Sequence, residues 1–174
     1  MYCSTTYPSP VGLITLACNE GNLVGLWNEG QKYHGGTISK AMIEKNDMPV
    51  FDTVRDWLDR YFAGEKPGIA KLPLAPIGGE FRNEVWNILC EIPYGETITY
   101  GDIAKKIAAN RNNENMSSQA VGGAVGHNPI AIIIPCHRVV GANGNLTGYA
   151  GGFAIKKKLL ELEGVDISSM FVPR

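Results

Sequence analysis

The nucleophilic form of cysteine is the thiolate, and near neutral pH it forms only where a base or a positive charge assists. Of the four cysteines in the chain, Cys136 alone has such a neighbour, His137, in the run Pro135-Cys136-His137-Arg138. In an extended segment adjacent side chains point to opposite sides, so direct contact between the two needs a turn, and a bridging water is the more natural link. Taken alone, the dipeptide reads more readily as an inert buried cysteine beside a satisfied core histidine. Cys18 in an alternating segment and Cys90 beside Leu89 fit small core hydrophobes. Cys3, Cys18 and His34 offer zinc-ligand chemistry, but their spacing is irregular and a fourth ligand is lacking, so no metal is expected.

The elements around these residues follow from pattern. Leu13 to Cys18 and Leu23 to Trp27 flank Asn19-Glu20-Gly21-Asn22 as a β-hairpin does. Val54, Trp57, Leu58, Tyr61 and Phe62 form one helical stripe in a helix over 51–63, with Asp52 as its cap and Gly64 as its stop. The Pro- and Gly-rich stretch from Glu65 to Gly79 is a linker, which divides the chain into domains 1–78 and 79–174. A second helix carries Phe81, Val85, Ile88, Leu89 and Ile92 and closes at Pro93-Tyr94-Gly95. Thr99-Tyr100-Gly101-Asp102 has the form of a capping box and opens a third. Asn110 to Met116 is a polar loop, and Ser117 or Ser118 caps a short helix of small residues that ends near Asn128-Pro129. Ile130 to Ile134 is too short for a helix and too apolar for a surface, which predicts a buried strand delivering Cys136. Two short helices joined by a loop suggest a helix-turn-helix, although Gly122-Gly123 serves close helix packing equally well and many helix pairs never touch DNA.

The fold class is therefore α+β: a small N-terminal antiparallel sheet domain with a helix, then a mostly helical C-terminal domain. With 174 residues, 44% hydrophobic and 19% charged, the chain can bury a core and is not broadly disordered. No apolar run reaches the roughly 20 residues of a spanning helix, and Met1 to Pro10 lacks the pattern of a secretory signal, so a cytoplasmic protein is expected. Residues 1–81 carry 7 Lys+Arg against 9 Asp+Glu, and residues 82–174 carry 9 against 8. Any attraction to nucleic acid must come from local arrangement rather than from the overall field.

Pro135-Cys136-His137-Arg138-Val139-Val140, with Gly122-Gly123-Ala124 and Asn128-Pro129 before it and Gly148-Tyr149-Ala150-Gly151-Gly152 after it, resembles the methylated-DNA–protein-cysteine methyltransferases, which repair 6-O-alkylguanine in DNA. Ser9-Pro10-Val11-Gly12 and Ile92-Pro93-Tyr94-Gly95 extend the likeness over most of the chain. The resemblance implies that Cys136 accepts the alkyl group irreversibly, that His137 acts on it through a water, and that Glu163 orients His137. It implies that Tyr100 gives a proton to the leaving guanine and that Asn128 braces the turn. It further implies a monomer that needs no cofactor, binds double-stranded DNA containing alkylated guanine from the minor groove, and flips the base out. Gln119, Ala120, Gly123, Ala124 and Arg138 would meet DNA, and Val139, Tyr149 and Ala150 would line the pocket. Gln119 departs from the arginine common in the family at this place and lacks its charge and stacking plane. A relative that recognises lesions without repairing them would lack Cys136. A cysteine hydrolase built on Cys136, His137 and Glu163 would regenerate its thiol.

Overall fold

The computed structural model describes residues 1–36, 38, 41–112, 116–146 and 149–171. Three strands, β1 (Tyr2–Ser9), β2 (Gly12–Asn19) and β3 (Asn22–Asn28), form an antiparallel meander, and β4 (Ile43–Glu44) adds to β1 in parallel, giving the order β3-β2-β1-β4. The expected hairpin is β2 and β3. Cys3 and Cys18 lie directly opposite each other in β1 and β2, both buried. His34 packs instead against Trp27 at 5.5 Å, and no metal-binding cluster of three occurs among the described residues.

Helix α1 (Pro49–Phe62) buries Val50, Phe51, Val54, Trp57, Leu58 and Tyr61. It starts earlier than the expected Asp52 cap: Pro49 occupies the first turn, where its fixed φ suits entry and its missing N–H costs nothing. Asp52 lies within that turn and pairs with Arg55 at 3.1 Å. Gly64, at φ 86°, ends the helix as expected. The stretch read as a linker is held to the sheet, since Leu23 N–H donates to Pro73 O and Ala75 N–H to Leu23 O.

Helices α2 (Glu80–Cys90), α3 (Tyr100–Asn110) and α4 (Ser118–Gly126) follow, with β5 (Ile98–Thr99) ahead of α3. Thr99 and Asp102 form the reciprocal capping box, and the Ser117 hydroxyl caps α4 by accepting from the Gln119 and Ala120 amides. The loop expected over 110–116 overlaps residues 113–115, which lie outside the described residues. Trp86 of α2 donates Nε1–H to Ala124 O at 2.9 Å, tying α4 to the core. The chain closes with β6 (Val139–Val140), parallel to β5, and α5 (Phe153–Leu162). One continuous core joins both halves, from Leu16 and Leu58 to Leu89, Ile107 and Leu159.

The strand expected over Ile130 to Ile134 is absent. Only Ile130 bridges β3, beside Leu26; the rest coils through tight turns, with Ile132 at φ 69°. The run is buried, as its apolarity implies: all five residues are at most 2% exposed. An unbroken apolar run carries no periodicity with which to tell a strand from a buried turn.

Candidate active site

Asn128 organises the turns that carry Cys136. Its Nδ2 donates to Ile134 O at 2.7 Å and to Ile130 O at 3.4 Å, while its Oδ1 accepts from Ile130 N–H at 3.1 Å. A side chain thus satisfies backbone groups that a strand ladder would otherwise have taken. Cys136 to Arg138 then form a single turn of 3₁₀ helix, so the chain does turn between Cys136 and His137.

His137 is completely buried and its Nε2 lies 2.6 Å from Glu163 Oε2. Glu163, the residue after the last turn of α5, receives further donors: Tyr61 O–H at 2.6 Å, Arg138 Nε and Nη2 at 2.7 and 3.1 Å, and Gly95 N–H at 3.1 Å. Gly95 sits at φ 81°, and a Cβ there would stand 3.0 Å from Glu163 O, so this approach requires glycine. Burial alone would raise the Glu163 carboxyl; the hydrogen bonds from His137, Arg138 and Tyr61 outweigh it and hold the group well below the usual carboxylate range. Burial pushes the His137 imidazole down, and Glu163 offsets this only in part. With Arg138 already neutralising Glu163, His137 stays neutral, Nε2–H donates to the carboxylate, and Nδ1 is the basic nitrogen. That Nδ1 has no hydrogen-bond partner among the described residues.

Burial also pushes the Cys136 thiol up, while the Asn128 amide and the charge of Lys156 pull it back down. Lys156 is fully buried and donates from Nζ to Val139 O. Burial lowers its pKa to about 8, with Cys136 working the other way. Tyr100, at the start of α3, is pushed up to about 12 by burial and by Cys136, so it is a phenol with a proton to give at neutral pH.

Two clefts open beside Gly122 of α4. One of about 550 Å³ is bordered by Tyr100, Ser118, Gln119 and Ala142, and the other, of about 310 Å³, by Tyr33, His127, Tyr149 and Ala150. Gln119, Ala120 and Gly123 are exposed on α4. Ala124 is not: it is buried, its carbonyl held by Trp86, because it lies three residues after Val121 on the core stripe that Val121 and Val125 share. Arg138 is likewise not a surface contact, since its guanidinium is turned inward onto Glu163 and Ile92 O. Val139, expected to line the pocket, is buried, and its carbonyl accepts from Lys156. Tyr149 is buried and accepts from Asn28 Nδ2 at 3.3 Å, and Ala150 O accepts from Lys32 N–H; Gly148 lies outside the described residues.

Sequence reasoning missed Lys156, Tyr61 and Asn28. Lys156 sits in Lys156-Lys157-Lys158, which has the look of a solvated face; its signal is the spacing to Leu159 and Leu160, which puts it on the buried stripe of α5. Tyr61 carries no mark beyond its place in an apolar stripe.

Comparison with known proteins adds a direct likeness. Residues 1–76 match the family model "6-O-methylguanine DNA methyltransferase, ribonuclease-like domain" and residues 80–165 match "6-O-methylguanine DNA methyltransferase, DNA binding domain". The methylated-DNA–protein-cysteine methyltransferase of Methanosarcina acetivorans is 49% identical over 163 residues, covering 91% of this chain and 96% of the relative. That of Haemophilus influenzae is 40% identical over 161 residues, covering 92% and 86%. Among solved structures, Mycobacterium tuberculosis OGT in complex with DNA superposes with a TM-score of 0.77 at 42% identity, covering 97% of this chain and 94% of that one.

Proposed function

Because the chain belongs to the 6-O-methylguanine DNA methyltransferase family, a family of DNA repair proteins that move an alkyl group from guanine to a cysteine of their own, we propose that Cys136 is the acceptor and that it is used once. The observation that carries this reading is the buried line from Glu163 through His137 to the turn bearing Cys136.

In this reading the Cys136 proton passes to His137 Nδ1 through a water, and Glu163 holds the imidazole in the tautomer that leaves Nδ1 free to receive it. The thiolate attacks the methyl carbon in line; the S–C bond forms as the bond from carbon to the guanine oxygen breaks. The electron pair goes into the guanine ring, and Tyr100 supplies the proton that lets it leave neutral. The alkylated guanine reaches the sulfur by rotating out of the duplex. Gln119, Ala120 and Gly123 meet the minor groove, and Tyr149 and Ala150 wall the pocket. Gln119 hydrogen-bonds the orphaned cytosine without the stacking of an arginine. A division near Gly78 separates the sheet-bearing half, 1–78, from the alkyl-accepting half, 79–174. The protein acts as a monomer, and a working thiol places it in the reducing cytoplasm; no helix among the described residues is long and apolar enough to cross a membrane.

The test is the intact mass of the protein after exposure to duplex DNA bearing 6-O-methylguanine. The expected result is a gain of one CH₂ per chain, localised to Cys136, saturating at one equivalent and absent from Cys136→Ala. Erasure of the lesion with Cys136 unmodified, or continued turnover as in a hydrolase, would overturn the reading.

A further inference from the structure

Tyr61 lies in the last turn of α1, in the half of the chain that carries neither Cys136 nor the helix pair, yet its hydroxyl reaches Glu163 Oε2 at 2.6 Å across 102 residues of sequence. It is the one donor to Glu163 from residues 1–76 among the described residues; the rest come from Gly95, His137 and Arg138. Three donors converge on Oε2: Tyr61 O–H, His137 Nε2–H and Arg138 Nη2–H. The ring is locked in place, stacked on Trp57 at 5.3 Å and met edge-on by Phe62 and Tyr94, and the residue is 1% exposed.

Each additional donor withdraws electron density from Oε2 and weakens its pull on the others. A strongly basic carboxylate would draw the Nε2 proton toward itself and raise the basicity of Nδ1; one shared among several donors holds the ring without doing so. We propose that Tyr61 is a positioning residue for alkyl transfer, whose hydroxyl fixes the Glu163 carboxylate and tempers its pull on His137, so that the amino-terminal half sets the proton affinity of the nitrogen serving Cys136. This rests on the reading of Cys136 as acceptor and His137 as its base. Burial and the Glu163 charge both raise the phenol far above its ordinary value, so Tyr61 is a donor at any working pH. The other charged or titratable groups facing the pair are Arg138 and Lys156, both cations, and the Tyr94 phenol.

Tyr61→Phe keeps the ring and removes the donor. Tyr94→Phe is its control: that hydroxyl belongs to the same aromatic cluster but donates to Leu162 O at 3.2 Å and not to Glu163. Single-turnover transfer from 6-O-methylguanine DNA is measured against pH for the full chain and both variants, alongside the ¹⁵N-detected titration of His137. In Tyr61→Phe the His137 midpoint should move up and transfer below neutral pH should slow about threefold or more, the rate at alkaline pH staying within about twofold. Tyr94→Phe should follow the unsubstituted protein. Equal shifts in both variants, or none in Tyr61→Phe, would overturn the proposal. If Tyr61→Phe does not fold, the Tyr61 hydroxyl proton in the unsubstituted protein decides: a far-downfield resonance that moves upfield in Glu163→Gln supports it, and no such resonance overturns it. Label remaining on Cys136→Ala after exposure to DNA would instead remove the underlying reading.

Discussion

Asn28, the last residue of β3, and Tyr149, 121 positions later, share a buried hydrogen bond of 3.3 Å from amide to phenol. Asn28 also donates to Gln31 Oε1 at 3.2 Å, while its own Oδ1 has no partner among the described residues. Gly151 completes the contact, for a Cβ there would come within 2.4 Å of the Tyr149 ring and 2.9 Å of the Asn28 amide. Asn28→Ala removes a useful donor together with an orphaned acceptor, so its cost should lie near 1 kcal/mol rather than at the upper end for buried polar groups. The expected outcome is a small fall in melting temperature and severalfold slower transfer at unchanged DNA affinity, read by thermal unfolding, single-turnover kinetics and binding titration. Unaltered transfer would mean that the Tyr149 wall stands without this brace.

Acid should weaken the fold in two stages. His137 is held neutral below its ordinary value near 6.5, so as pH falls through about 6.5 the unfolded chain takes up a proton first and stability drops. Glu163 is held well below the usual value near 4.3, so its contribution is present above about pH 4 and is lost as pH falls further. Urea unfolding at a series of pH values should show both declines. Glu163→Gln should lose about 3–5 kcal/mol at neutral pH by leaving Arg138 uncompensated, and its curve below pH 4 should be flatter than that of the unsubstituted protein.

Lys156→Met keeps the length of the side chain and deletes the charge beside Cys136. Without that charge the thiol should be pushed further up, slowing transfer at pH 7 about tenfold, with partial recovery in more alkaline buffer. Burying the ammonium is itself unfavourable below its pKa of about 8, so the melting temperature should hold or rise although Val139 O loses its donor. A loss of activity that tracked a loss of stability would contradict an electrostatic role.

Tyr100→Phe should slow transfer by about a hundredfold while the dissociation constant for lesion DNA stays within about twofold. Equal losses in rate and affinity would assign the hydroxyl to binding and not to proton transfer.

The Thr99–Asp102 box and the Ser117 cap were legible because local polar chemistry dictates them. His137 and Glu163, singled out with Cys136 by motif and family resemblance, do meet in space. Ile130 to Ile134 misled because a side chain, Asn128, took over the hydrogen bonding that a strand would need. Tyr61 and Asn28 stayed hidden for a different reason: each reaches a partner more than 100 residues away, Glu163 and Tyr149, and nothing local in the chain points to it. Arg138 shows the converse, a cation next to the motif whose charge is consumed internally.

Helix α4 carries glycine at 122, 123 and 126 within nine residues, and a Cβ at 123 or 126 would meet nothing within 4 Å. Each glycine lowers helical propensity by about 1 kcal/mol relative to alanine, so an excised peptide of this segment would be coil. Its shape is borrowed from Trp86 and Ser117 rather than intrinsic. Firmness and smoothness therefore pull in opposite directions along it: Gly123→Ala would stiffen the rod and at the same time add a bump on the face proposed to meet the groove.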